Sequence, residues 1–406
     1  MNVCMVTRSM PSHSRGGVQD HTHELARGLS GRGHTVTILT TAHPDGKTEE
    51  TYESVRILFL TGTRPSQLDR NWWKASTHAV RELTQREHFD ILHSQGPAGY
   101  AAIRMLRRPQ GISTLISFHG THFDELVTRW KRGFSTNPVR SARNIAAIGI
   151  VLKKFYLWDK RTLPIADAFI ATSNEQQILL EEIYRLPHEK IFKVFNGMDL
   201  SRFSPGDPPD LLRSRLGIPS GSSIVLCMAR LIRDKGIQHM INAVPEILET
   251  VPHCHLIVVG DGNHRPYLER HAGALGIADH VTFTGSVEFS FLPEYFRLCD
   301  IFVNPTVQQN GYDLTMLEAM ACEKPVISSN IGSTPTLIAH DRDGILFPPA
   351  NEHALADAVI RLLRDRDRRH LLGRQAREKV MQDFTLDIMV ERTIDAYRTL
   401  AERKRR

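Results

Sequence analysis

An α/β protein of two doubly wound domains is the fold class this sequence predicts, on three observations. Short runs rich in β-branched and apolar residues alternate with amphipathic helical patterns along the whole chain, as expected of parallel strands joined by covering helices. The alternation breaks near 207–223, where Pro205, Pro208, Pro209 and Pro219 stand among Gly206, Gly217 and Gly221. It then restarts, so each half of the 406 residues has the size of a large single domain.

In the first half, strands are expected at 3–7, 35–39, 55–60, 90–93, 114–118, 168–171 and 191–195, with helices such as 18–30 and 73–87 between them. In the second half the strands are 224–228, 255–259, 281–283, 301–303, 326–328 and 345–347. Helical patterns at 352–364, 368–383 and 386–402 follow. The expected limits are a first domain over 1–205, a second over 206–384 and a terminal helix in 385–406.

Composition narrows the class. A hydrophobic content of 41 % and a charged content of 24 % are those of a globular protein with ample core. Met1 leads straight into a strand, so no signal peptide is expected. The longest apolar runs, such as 145–152, are about eight residues, too short to cross a bilayer. Five scattered cysteines with no Cys-x-x-Cys spacing fit reduced thiols in the cytoplasm. The net charge of +6 is uneven: residues 1–200 hold 26 Lys and Arg against 19 Asp and Glu, and the rest hold 25 against 26. Much of the excess lies in 126–161, with nine basic residues, one acidic residue and five interleaved aromatics. That mixture suits an anionic membrane surface, nucleic acid or an anionic substrate; a solvated helix face with a buried apolar stripe is the plainer alternative.

Ligands of open α/β sheets bind beyond the carboxyl ends of the strands, so residues just after strands are the candidates. Gly16 and Gly17 precede the first helix and leave its N-terminus open to a ligand, or form a flexible loop. His119 directly follows the strand at 114–118 and can donate to a sugar hydroxyl or brace a developing charge; a lone histidine is also an ordinary loop or core residue. His122 stands close by, but no third ligand has metal-site spacing, so no metal is expected. Arg230 and Lys235 follow the strand at 224–228, where two cations can hold a diphosphate, unless they are plain surface charges. Gly260, Asp261 and Gly262 begin like a dinucleotide fingerprint, yet Arg265 stands where the third glycine belongs; a glycine turn bordering a nucleobase fits better than a nicotinamide site. The stretch 304–336 reads as strand, turn, helix, strand and loop. Its helix opens near Leu314 and carries Glu318 on the second turn, an arrangement suited to a diphosphate at the helix N-terminus and a ribose at the carboxylate. No phosphate-loop motif or serine elbow occurs, and no Asp-x-Asp follows a strand in the first half.

These parts, in this order, resemble the retaining glycosyltransferases of family four, which have the GT-B fold. The most characteristic string is Leu317-Glu318-Ala319-Met320-Ala321-Cys322 with Lys324-Pro325-Val326-Ile327. The resemblance implies two Rossmann-like domains facing a cleft, the sugar nucleotide held mainly by the second and the acceptor by the first, and a last helix that returns to the first domain. It implies that Arg230 and Lys235 bind the donor diphosphate, Glu318 the ribose, and the backbone at Leu314 and Thr315 the distal phosphate. His119 then contacts the donor sugar, and Gly16 and Gly17 frame the phosphates. The family usually has Glu-Gly-Phe-Gly-Leu where this chain has Asn310-Gly311-Tyr312-Asp313-Leu314. Asn310 therefore brings a hydrogen-bonding amide to the sugar in place of a charge, and Asp313 supplies a carboxylate nearby. The implied activity is metal-independent transfer of a hexose-type sugar from a UDP or GDP sugar to a glycan or lipid-linked hydroxyl, with no cofactor. From cysteine usage and charge, the expected place is the cytoplasm, either free or held peripherally on the inner membrane face through 126–161, and no nucleic-acid partner is expected. A non-catalytic sugar-nucleotide binder or partner subunit is the alternative.

Overall fold

The computed structural model of the chain describes residues 1–14, 16–106, 111–131, 138–309 and 313–405. It forms two compact units, Met1–Gly197 together with Leu386–Arg406, and Met198–Thr385.

The strands of the first unit are β1 (Asn2–Val6), β2 (Thr35–Thr41), β3 (Glu49–Tyr52), β4 (Val55–Leu60), β5 (Ile91–Gln95), β6 (Ser113–Phe118), β7 (Ala168–Ala171) and β8 (Ile191–Lys193). Among the described residues they make one sheet in the order β3-β4-β2-β1-β5-β6-β7-β8. Every pairing is parallel except β3 with β4. Helices cover both faces, so most of these strands are buried on both sides and read as continuous apolar runs. Strand β3 has no such run: Glu49-Glu50-Thr51-Tyr52 is mostly exposed. It exists because Glu53 and Ser54 both take positive φ, 45° and 67°, the two-residue turn that folds a hairpin back onto β4.

Alternate side chains of β1 serve two cores. Val3 and Met5 pack with the first helix (Gly17–Ser30) and the C-terminal helix (Leu386–Arg405) through Leu25, Leu29, Val390, Ile394 and Tyr397. Cys4 and Val6 face the opposite side, with Trp72, Phe118 and Phe169. The two helices cross closely at Gly28, where a Cβ would stand 2.4 Å from Val390 Cγ2.

The second unit holds β9 (Ser223–Met228), β10 (Cys254–Val259), β11 (Val281–Gly285), β12 (Ile301–Asn304), β13 (Val326–Ser329) and β14 (Ile345–Phe347). Among the described residues the order is β11-β10-β9-β12-β13-β14, all parallel. This is the doubly wound order in which the first strand lies beside the fourth. Phe203 ties the start of this unit to its body, packing on Phe289 and Phe296, while Arg297 Nε donates to Ser204 O at 3.1 Å. All five cysteines are buried free thiols.

The Gly28 crossing makes a stability prediction. Gly28→Ala should cost about 1–3 kcal/mol through overpacking against Val390, despite the better helix propensity of alanine. Thermal melts should show the loss, and adding Val390→Ala should recover most of it.

Candidate functional site

In the second unit the strand order reverses between β9 and β12, and loops from both strands meet there. After β9 the chain passes Arg230 and makes a short turn at Arg233–Lys235, capped by Gly236 in the left-handed conformation. A Cβ on residue 236 would lie 1.9 Å from Pro305 O, just beyond β12. Glycine therefore lets the two loops touch, and Asp234 O accepts from Val307 N at 2.9 Å and Thr306 Oγ1 at 3.2 Å. The loop after β10 is drawn in the same way. Cβ atoms on Gly260 and Gly262 would come within 2.0 Å and 2.4 Å of Ala229 O and Leu231 O. Gly260-Asp261-Gly262 is thus a packing turn in this unit. Asp261 accepts from Gly262 N at 2.7 Å and pairs with Arg265 at 3.2 Å.

Lys235 forms an ion pair with Asp313. Asp313 immediately precedes the helix Leu314–Ala321, where a side chain commonly caps the first turn, yet it makes no cap hydrogen bond. The first N–H groups of a helix have no acceptor within it. Thr315 Oγ1, in the same turn, is buried without a hydrogen-bond partner among the described residues. One turn on, Glu318 is 6 % exposed. Arg230 is exposed. Asn310, with Gly311 and Tyr312, lies outside the described residues. A cation, a helix N-terminus and a hydroxyl gathered at the switch point are suited to an oligophosphate, with Asp313 paired to Lys235 beside them.

In the first unit the order reverses between β1 and β5. Gly16 caps the first helix through its backbone, its carbonyl accepting from Asp20 N at 3.0 Å, and the Gln19 side chain lies against it. Gly17 is the first helical residue. One turn in, His21 is buried with neither ring nitrogen bonded among the described residues. Its ring meets that of His119 edge-on, centroids 4.5 Å apart. His119 Nε2 lies 2.8 Å from Gln95 Oε1 at the end of β5. Gln95 Nε2 is 3.4 Å from His93 Nε2, and His93 bonds Ser117 Oγ at 2.6 Å and Tyr397 Oη at 2.7 Å. His122 instead bonds Asp159, Nδ1 to Oδ1 at 2.9 Å. Sequence reasoning singled out Gly16, Gly17 and His119 but passed over His21, His93, Gln95 and Tyr397. A signal for His93 and Gln95 was present, since they close a strand at the sheet's carboxyl edge. Tyr397 gave none, being 304 residues from His93 in the chain.

The basic segment begins in the helix His122–Lys131 and continues through the helix Pro138–Lys154 and a π-turn, Phe155–Asp159. Its aromatics divide. Phe155 is buried against Phe123 and Tyr184, and Trp158 stacks edge-on with Trp73 at 4.5 Å. Trp130 and Tyr156 are 69 % and 62 % exposed, and Ile145, Ile150 and Leu152 are exposed with them. Lys160 Nζ donates to Ile183 O at 3.2 Å, whereas Arg143 and Lys153 are exposed. Arg132 and Phe134 lie outside the described residues. No helix among those described is long and apolar enough to cross a membrane.

Residues 15–202 match Glycosyltransferase Family 4, and residues 210–379 match Glycosyl transferases group 1. The chain belongs to the group 1 glycosyltransferases of the family-four type, enzymes that transfer a sugar from a nucleotide sugar. It is similar to the GDP-mannose-dependent alpha-(1-6)-phosphatidylinositol monomannoside mannosyltransferase of Mycobacterium tuberculosis, 34 % identical over 210 residues, covering 50 % of this chain and 54 % of that one. It is also similar to the D-inositol 3-phosphate glycosyltransferase of Xylanimonas cellulosilytica, 26 % identical over 96 % of this chain and 93 % of that one. Among solved structures it resembles sucrose-phosphate synthase from Thermosynechococcus elongatus, with a TM-score of 0.78, 22 % identity and 98 % of each chain covered. The two parallel-sheet α/β units are those of the GT-B fold.

The histidine cluster of the first unit predicts an acid-side loss of stability. Burial lowers the pKa of His93 to about 3 and that of His119 to about 4, and it pushes His21 well below the ordinary 6.5. The unfolded chain binds these protons below pH 6.5 and the folded chain resists them, so stability is full above 6.5 and falls as pH drops toward 4. His93 alone accounts for roughly 2 kcal/mol at pH 5. Melting temperature should be level above pH 7 and decline below 6.5, and His21→Phe should make the decline shallower.

Proposed function

We propose that this chain is a retaining, metal-independent transferase that moves a hexose-type sugar from a UDP or GDP sugar to a hydroxyl of a lipid-linked or glycan acceptor. The observation that carries the donor assignment is the switch point of the second unit. There Lys235 with Asp313, the start of the helix Leu314–Ala321 and the Thr315 hydroxyl, unpartnered among the described residues, form a ready anion site. In this reading a diphosphate displaces Asp313 from Lys235. Arg230 joins from the same loop, Leu314 and Thr315 offer backbone N–H groups, and Glu318 accepts from the ribose. As the bond from the sugar's anomeric carbon to the phosphate oxygen breaks, these fixed donors stabilise the charge gathering on the diphosphate. The acceptor oxygen bonds to the anomeric carbon on the same face, and its proton passes to the departing diphosphate oxygen. No enzyme carboxylate forms a covalent intermediate in this scheme. His119 and Asn310 hydrogen-bond the sugar.

A lipid-linked acceptor is favoured by the first unit's exposed apolar residues set among cations. Ile145, Leu152 and Tyr156 recur seven and four apart along the segment, beside Arg143, Lys153 and Lys154. Such a face suits shallow insertion into an anionic surface. The mycobacterial relative, by its name, acts on a phosphatidylinositol mannoside. The inserting groups are Trp130 and Tyr156, since Phe155 and Trp158 pack inward.

Turnover of UDP- and GDP-hexoses, including slow donor hydrolysis without acceptor, tests the enzyme reading. Activity should persist in excess EDTA. Arg230→Ala and Lys235→Ala should each remove roughly 2–4 kcal/mol of transition-state stabilisation, about 30- to 1,000-fold in rate, with little change in melting temperature. Asp313→Asn should tighten nucleoside diphosphate binding severalfold, roughly 1 kcal/mol, by calorimetry. Near wild-type rates in both alanine variants would remove the clamp, and absence of any turnover would favour a non-catalytic binder.

Vesicle co-sedimentation tests the surface. Binding to phosphatidylglycerol vesicles should weaken with salt, each cation near the surface contributing about 1 kcal/mol. It should be lost when Arg143, Lys153 and Lys154 become Glu, and weakened when Leu152 and Tyr156 become Ser. No binding at low salt would leave a soluble acceptor.

A further inference from the structure

We infer that Gln95 is a positioning residue for His119: its side-chain amide holds the His119 ring in place and determines which ring nitrogen carries the proton. The inference rests on the reading of His119 as a contact of the donor sugar.

The two side chains stand at the carboxyl ends of adjacent strands, β5 and β6, whose register pairs Gln95 with Ser117. Gln95 is buried and its Oε1 is 2.8 Å from His119 Nε2. A carbonyl oxygen only accepts, so the His119 proton sits on Nε2 and Nδ1 is left as an acceptor. An amide turned over would present NH2 to the same nitrogen and move the proton to Nδ1, so the amide's orientation and the His119 tautomer are one variable. That orientation is fixed from behind. Gln95 Nε2 points to His93 Nε2 at 3.4 Å. His93 is itself held on both nitrogens, by Ser117 Oγ at 2.6 Å and by Tyr397 Oη at 2.7 Å. One consistent polarity runs along this string. His93 Nδ1–H donates to Tyr397, Ser117 and Gln95 donate to His93 Nε2, and His119 Nε2–H donates to Gln95. The string therefore extends from the C-terminal helix through the sheet to the residue after β6. His21 closes the other side of the ring, edge-on at 4.5 Å.

Among the described residues no charge competes with the amide. The titratable groups facing His119 are His21 from the first helix and His93 from β5, and burial keeps both neutral. A glutamine supplies direction without charge, so His119 stays a neutral hydrogen-bonding group through physiological pH. A carboxylate in its place would hold the same ring but favour the imidazolium. This also revises the sequence-based expectation that His119 donates to a sugar hydroxyl: with Nε2–H committed to Gln95, it accepts from one through Nδ1.

The test uses the full-length protein with ring-15N histidine. The His119 signal is assigned by its loss in His119→Phe, and long-range 1H–15N correlation reads the tautomer. Wild type should show the proton on Nε2 and titrate well below pH 6. Gln95→Glu, nearly the same size, should raise the His119 pKa by about one unit or more and move the acid-side ionisation in the pH profile of kcat/KM upward by the same amount. Gln95→Met, which keeps volume without the amide, should give a mixture of tautomers and lower kcat/KM roughly tenfold or more, and it carries the test if the buried glutamate does not fold. An unchanged tautomer in Gln95→Met, or a wild-type ring protonated on Nδ1, would overturn the inference. The spectra need no donor. If they behave as expected while wild type turns over no nucleotide sugar, the positioning role stands and the enzymatic reading fails.

Discussion

At the carboxyl edge of the second sheet, backbone lies directly on backbone, and the placement of Lys235 and Asp313 depends on that approach. Gly236 sits against Pro305 O, Gly260 against Ala229 O and Gly262 against Leu231 O, each closer than any Cβ allows. These contacts draw together the loops that follow β9, β10 and β12. Lys235, carried on one loop, then reaches Asp313 ahead of the helix that starts beyond another. A methyl group at any of these glycines would push the loops apart, and a cation two or three ångströms from its place loses most of its hold on a phosphate. The glycines that resembled a broken dinucleotide fingerprint thus have a packing reason of their own.

The two units meet chemistry in different ways. In the second, full charges and a helix terminus gather near the surface, where an anion can replace Asp313 on Lys235. In the first, the polar groups are neutral and buried. His93, Gln95 and His119 are joined by hydrogen bonds, and burial keeps the histidines from charging at neutral pH. The charged arrangement is suited to holding an anion, and the neutral one offers directed hydrogen bonds without charge.

The long basic segment shows how far composition reaches. Nine cations and five aromatics in 126–161 mark an unusual surface, but they do not tell which aromatics face outward. The fold buries Phe155 and stacks Trp158 on Trp73, leaving Trp130, Tyr156 and three aliphatic side chains in solvent. Helical periodicity is interrupted by the π-turn Phe155–Asp159, which shifts the face presented by every residue after it.

The sequence by itself determined the strands buried on both faces, because continuous apolar runs bounded by turns admit few other readings, and it determined the order of the parts that mark the family. Among the described residues, thirteen of the fourteen strands were legible within a residue or two. The exception, β3, lacks an apolar pattern and is held by backbone pairing to β4, with the Glu49–Arg56 ion pair and the Tyr52–His23 ring contact beside it. Gly16, Gly17, His119, Arg230 and Lys235 stood out as candidates because each follows a strand or precedes a helix, and Glu318 because it lies one turn into a helix, which are local properties. Tertiary structure decided the rest. That Asp313 pairs with Lys235, that Gln95 meets His119 and that Tyr397 reaches His93 are contacts between residues 78, 24 and 304 positions apart. No local pattern encodes them, since they arise only when the parallel sheet sets distant strand ends side by side and the last helix packs across the first unit's sheet.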